Sequence, residues 1–130
     1  MSTMRIFFYP DRDRLDLPTV LHALSDPVRL RIIQCLAQDG ELTCGAFGID
    51  APKSTLSHHF KVLREGGVIR TRMEGAHRIV SLRVEDLNAR FPGLIQAILA
   101  VLAPKEGQAA YKFDQQNICR NTHGRDNGLC

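Results

Sequence analysis

The chain has no run of about 18 apolar residues, which excludes a transmembrane helix. Its first ten residues mix Arg5 with apolar side chains and carry neither a long apolar stretch nor a small-residue cleavage site. A signal peptide is therefore not expected, and the cytoplasm is the default location. Cysteine is sparse: Cys35, Cys44, Cys119 and Cys130 occur, none of them in a CxxC pair. Without a secretion signal, a disulfide framework is not expected. A nucleophile with an adjacent base, paired carboxylates and a glycine-rich phosphate loop are absent too. Gly66 and Gly67 end a helical pattern, where a phosphate loop would have to begin one. These absences argue against an enzyme. There are no internal repeats.

What is present fits a single domain. The 130 residues are 44% apolar, ordinary for a globular core. A chain this short buries a modest share of its surface, so burial in an oligomer would help it. The net charge of +3 says little, but its distribution says more. Residues 53–83 hold seven cations (Lys53, Lys61, Arg64, Arg70, Arg72, Arg78, Arg83) against two carboxylates (Glu65, Glu74), a net +5, which leaves −2 for the rest. A local positive field of this kind suits a polyanionic partner; the alternative is a solvated basic face.

Start and stop signals divide the chain. Residues 5–9 suit a short strand or extended arm. Asp16 before Leu17-Pro18 is an N-cap with proline in the first turn, and Ser25-Asp26-Pro27 repeats the signal. The two helices they open reach about Leu24 and Gln38, the first with an apolar stripe of Leu17, Val20, Leu21 and Leu24, and Gly40 closes the second. Thr43 can cap a very short helix carrying Cys44, Ala46 and Phe47. After Gly48 and Pro52, residues 54–65 form a strongly amphipathic helix stopped by Gly66-Gly67. Residues 68–73 and 77–83 read as two strands joined across Glu74-Gly75-Ala76. A helix over 84–90, a break at Phe91-Pro92-Gly93 and an apolar helix over 94–103 follow. Residues 104–130 show little periodicity and are expected to be a disordered tail. The order predicts a mainly α fold with a small β-hairpin, a helix-turn-helix with a wing behind it, over residues 1–103.

On a helical wheel Leu56, His59, Phe60 and Leu63 fall on one side of the 54–65 helix and should meet the core. Ser54, Ser57, His58 and Lys61 fall on the other, flanked by Thr55 and Arg64. Hydroxyls and imidazole can hydrogen-bond base edges or phosphates, and cations neutralise phosphates or bind guanine. A helix that is merely exposed usually carries Glu→Lys pairs, and none lies on this face. Arg72 and, near the hairpin tip, His77 and Arg78 could reach a phosphate or the minor groove. Two adjacent histidines cannot put both rings on one helix face, so His58 and His59 do not make a zinc site.

The run Leu24-Ser25-Asp26-Pro27-Val28-Arg29-Leu30-Arg31-Ile32 and the run Ser54-Thr55-Leu56-Ser57-His58-His59-Phe60-Lys61-Val62-Leu63-Arg64 resemble the second helix and the recognition helix of the ArsR/SmtB family of winged-helix repressors. Gly67-Val68-Ile69 and the arginine-rich wing continue the resemblance, which covers about residues 17–102. It implies a homodimeric transcriptional repressor that binds double-stranded operator DNA upstream of its own operon and leaves it when an effector binds. It also implies a dimer interface made by the first and last helices, here supplied by Leu17, Val20, Leu21, Leu94, Ile95, Ile98, Leu99 and Leu102. The alternative is a protein-interaction module on the same scaffold, though such modules typically lose the basic outer face.

The sensing motifs depart from the family. The arsenic-responsive type carries Glu-Leu-Cys-Val-Cys where this chain reads Glu41-Leu42-Thr43-Cys44-Gly45, and the zinc-responsive type carries Asp and His ligands on a last helix that has none here. Cys35 and Cys44 both fall on core-facing positions, where a cysteine usually serves as a small hydrophobe. A dithiol switch or a trivalent-arsenic site between them is the alternative. Cys119 and Cys130, with His123, could bind a soft metal or oxidise.

Overall fold

The structure, a computed structural model, describes residues 9–103. The aspartates that precede the two prolines act as N-caps. Asp16 accepts from the Thr19 N–H at 3.1 Å and from the Thr19 hydroxyl at 2.7 Å, and opens helix α1 (Leu17–Ala23). Asp26 Oδ1 accepts from the N–H groups of Val28 at 2.8 Å and Arg29 at 3.2 Å and opens α2 (Pro27–Asp39), each cap contributing about 1 kcal/mol. Gly40, at φ 78°, ends α2 in a conformation that side chains disfavour. The short helical piece is a 3-10 turn, Cys44–Phe47, and Pro52 precedes α3 (Lys53–Glu65), which starts one residue earlier than its hydroxyl pattern indicated. The hairpin pairs β2 (Ile69–Glu74) with β3 (His77–Leu82), from Ile69 opposite Leu82 to Glu74 opposite His77. Gly75 takes the positive φ, 62°, required at the first central position of a type II′ loop. Helices α4 (Val84–Arg90) and α5 (Leu94–Leu102) close the described chain.

Two elements go beyond the sequence reading. A 3-10 turn at Arg12–Arg14 precedes α1. A third strand, β1 (Leu42–Thr43), pairs antiparallel with β3, giving the sheet order β1-β3-β2. Two residues are too few to show the period-2 alternation that marks a strand.

The core gathers Ile32, Ile33 and Leu36 of α2, Leu63 of α3, Ile69 and Val80 of the wing, Leu87 of α4 and Ile95 of α5 around the buried Leu15. Phe47 meets Phe60 edge to face at 5.1 Å between ring centroids, which fixes the 3-10 turn against α3. Cys35 and Cys44 are buried, as their positions require. They are not thiols, however: both are disulfide-bonded. That corrects the expectation of no disulfide, because sequence spacing does not report which sulfurs tertiary packing brings within bonding reach. Among the described residues no helix is long and apolar enough to cross a membrane. The expected tail, residues 104–130, lies outside the described residues, and so do Cys119, His123 and Cys130.

Candidate nucleic-acid interface

Helix α3 divides as a helix against a core must. His59, Phe60 and Leu63 are buried, and Leu56 is half-buried. Ser54, Thr55, His58 and Lys61 are exposed, with Ser57 and Arg64 half-buried at the edges. Lys53, which the sequence reading counted as charge but not as a site residue, is the first residue of the helix and is exposed. Its place directly after Pro52 was the signal, since a helix commonly starts beside proline. The exposed face thus offers two lysines, two hydroxyls and an imidazole. Burial of Arg64 lowers its guanidinium pKa first, and the charge of Arg78 lowers it further against the opposing Glu65. The fold therefore sets two cations near each other, at positions 64 and 78. His77 is exposed and Arg78 half-buried at the start of β3.

Not all of the +5 in residues 53–83 faces outward. Arg72 is held by Glu41, one contact being 3.1 Å from Nη2 to Oε1, and by Glu74 at 3.1 Å. These hydrogen bonds raise the Arg72 pKa, and Glu41 is correspondingly held below the ordinary carboxylate range. A phosphate at Arg72 would compete with both carboxylates. Arg83 is buried, gives its Nε–H to Asp86 at 2.9 Å and its Nη1–H to the Pro10 carbonyl at 2.7 Å. Asp86 also accepts from Arg12 at 2.7 Å and Arg70 at 3.3 Å. Burial pushes the Asp86 carboxyl up, but the hydrogen bonds from Arg12 and Arg83 outweigh it and leave it below the ordinary range. The Tyr9 ring lies 5.3 Å from the guanidinium carbons of both Arg70 and Arg83. This cluster fastens the root of the wing to α4 and leaves α3 as the main cationic surface.

The residues expected at a dimer interface separate in the same way. Val20, Ile95 and Leu102 are 0%, 1% and 3% exposed and belong to the protomer's own core, so they do not supply an outer face. The wheel places them on the apolar stripe but cannot tell which half of a stripe its own chain covers. Leu17 and Leu21 remain 42% and 45% exposed, and Leu94, Ile98 and Leu99 are half-buried. Val101, absent from the sequence reading, is 64% exposed. An apolar groove of about 400 Å³ lies between Leu21 of α1, Leu30 of α2, and Ile98 and Val101 of α5. Among the described residues no group of three or more His, Cys, Asp or Glu side chains is placed to hold a metal ion.

A family model described as a helix-turn-helix domain matches residues 24–72, from the end of α1 into β2. An HTH-type transcriptional regulator of Bacillus subtilis, YceK, is 40% identical over 82 residues, covering 61% of this chain and 82% of that protein. The fold is that of an ArsR family transcriptional regulator of known crystal structure, with a TM-score of 0.50 and 24% identity, covering 77% of this chain and all of the other. The chain belongs to the HTH-type transcriptional regulators. Within this family it is also similar to the biofilm growth-associated repressor of Agrobacterium fabrum, 38% identical over 94 residues, or 70% of this chain and 76% of the relative. A cadmium resistance regulator homolog of Staphylococcus aureus is 36% identical over 74 residues, 55% of this chain and 60% of the relative. The fold is a winged helix-turn-helix, with β2 and β3 as the wing.

Proposed function

We propose that this HTH-type regulator is an ArsR-type repressor, cytoplasmic and homodimeric, that reads operator DNA with α3, controls its own operon and is released by an effector. The observation that carries the reading is the exposed face of α3, where Ser54, Thr55, His58, Lys53 and Lys61 stand together on a helix whose opposite face is locked into the core. Hydroxyls and imidazole at the start of a helix suit base edges and phosphates, and the helix N-terminus itself favours phosphate. Residues 1–103 serve as one DNA-binding and dimerisation unit. A two-fold partner covers Leu17, Leu21, Ile98 and Val101 and sets two copies of α3 on half-sites about 34–36 Å apart. An effector releases DNA by favouring a dimer geometry in which the two helices no longer match those half-sites.

Reversing the two exposed lysines, Lys53→Glu and Lys61→Glu, tests the role of α3. Binding of a fluorescent operator duplex is expected to collapse at fixed salt. In the single variants the salt dependence should become shallower by about one counterion per lost phosphate contact. Unchanged binding by a folded double variant would assign the surface to a protein partner instead.

A further inference from the structure

One side chain in the core touches three helices. Arg29, 7% exposed on the first turn of α2, donates from Nε to the Ala23 carbonyl at 2.7 Å and from Nη2 to the His22 carbonyl at 3.3 Å, both in the last turn of α1. Its Nη1 stands 3.1 Å from Nδ1 of His59, which points inward from α3 and is 8% exposed. Arginine has no acceptor, so the guanidinium donates and His59 Nδ1 accepts, which puts the ring proton on Nε2. The backbone N–H of Arg29 is itself held by the Asp26 cap. Below this contact α1 and α3 approach closely at a second point: a Cβ on Gly66 would meet Ala23 Cβ at 3.0 Å and the Thr19 carbonyl at 3.5 Å.

We propose that Arg29 is a positioning residue that transmits the setting of α1 to the DNA-reading helix, acting through His59. The inference rests on the proposed reading of α3 and of α1 as part of the dimer face. Leu17 and Leu21 project from α1 away from the core, so a partner that shifts α1 moves the two carbonyls that Arg29 holds. The planar fork carries that shift to His59, one turn from the exposed Thr55 and next to the exposed His58. Lysine offers one compact ammonium in place of the fork and cannot hold both helix ends in this geometry.

The link is sensitive to acid. A second proton on His59 goes to Nδ1 and sets two donors against each other at the Arg29 contact. The charged groups facing His59 are Asp26 and Arg29 from the start of α2 and His58 beside it on α3. Asp26 Oδ1, 3.8 Å from Nδ1, offers the protonated ring a different partner. Burial lowers the His59 pKa most, Arg29 and His58 lower it further, and Asp26 opposes them. The neutral ring is the one the fold favours. Its contribution is complete above the ordinary histidine range and is lost as pH falls below that range, through the lowered pKa of the folded state.

The test compares wild type, Arg29→Lys, His59→Gln and His59→Leu in the full chain. Glutamine keeps an acceptor but does not titrate. The first readout, hydrogen exchange by mass spectrometry, needs no DNA. Arg29→Lys is expected to speed exchange in the last turn of α1 and in α3 together, leaving α5 unchanged. The second is anisotropy with a duplex from the upstream region of the protein's own gene, at about pH 7.5 and about pH 5. Arg29→Lys should bind about tenfold more weakly while remaining folded, the loss of one charged hydrogen bond. His59→Gln should bind within about twofold of wild type at the higher pH and lose less than wild type on acidification. Unchanged exchange in α1 and α3, or a His59→Leu protein with wild-type affinity and the wild-type pH profile, would overturn the inference. If Arg29→Lys fails to fold, the two His59 variants and their pH profiles decide it. If wild type binds a scrambled duplex equally well, the reading of α3 fails, and the exchange data alone still decide whether Arg29 joins α1 to α3.

Discussion

Replacing Gly67 by alanine should unfold this protein at a markedly lower temperature, by an amount the structure divides into two parts. Gly67 follows α3 at φ +86°, the conformation that lets the Val68 N–H return to the Leu63 carbonyl at 2.9 Å. An L-residue there costs about 1–2 kcal/mol in backbone strain. The added Cβ would lie 2.1 Å from Leu15 Cδ2 and 3.2 Å from Pro10 Cγ, so the buried Leu15 side chain must shift within the core. Overpacking of this kind adds about 1–3 kcal/mol. The sum, about 2–5 kcal/mol, is a large part of the about 5–15 kcal/mol that holds a domain folded. It corresponds to a fall in Tm of roughly 10–30 °C. Gly75 provides the control: its φ is +62°, but nothing lies within 4 Å of its virtual Cβ, so Gly75→Ala carries the strain without the collision. Urea unfolding of Gly67→Ala, Gly75→Ala, Leu15→Ala and the Leu15→Ala/Gly67→Ala double variant separates the parts. The double variant should recover most of the overpacking penalty relative to additivity. Equal losses at positions 67 and 75, or strict additivity at 15 and 67, would refute the collision.

Three further outcomes follow from the same geometry. Asp86→Asn should cost about 2–3 kcal/mol in urea unfolding, because it leaves the buried guanidinium of Arg83 with a weaker acceptor; Arg12→Ala, which removes a half-exposed partner, should cost under about 1 kcal/mol. Val101→Glu and Leu21→Glu should shift sedimentation from dimer to monomer with little change in the helical circular dichroism of the protomer, and an unaltered dimer would place the interface elsewhere. Cys35 and Cys44, buried and disulfide-bonded, should resist alkylation in denaturant until a reductant is added, and full alkylation without one would show them to be thiols.

Much of this fold was legible because its boundaries are chemical. Asp16-Leu17-Pro18 and Ser25-Asp26-Pro27 name their helices through capping oxygens and a proline that needs no N–H partner, and Gly75 names the hairpin through its backbone. The 3.6-residue pattern of α3 separated Phe60 and Leu63 from Ser54 and Lys61 without coordinates. Pairwise geometry was not legible. Arg72 looked like an outward cation until Glu41, thirty-one positions away, closed on it. Val20, Ile95 and Leu102 looked like an outer face because a stripe of apolar residues does not say which of them its own chain covers. The strand β1 was too short to carry a period. The oxidation of Cys35 and Cys44 depends on the approach of sulfurs, which spacing alone does not report. Arg29 and His59 were visible as residues, but that one guanidinium joins α1 to α3 is a tertiary fact.

The most direct test of the central claim is an anisotropy titration of the purified protein against labelled DNA from immediately upstream of its own gene, beside a scrambled duplex of equal length and composition, at two salt concentrations. Tight binding to the native duplex only, weakening steeply with salt and abolished by Lys61→Glu, is the predicted result. Equal binding to both duplexes, or binding indifferent to Lys61, would contradict the claim that α3 reads an operator.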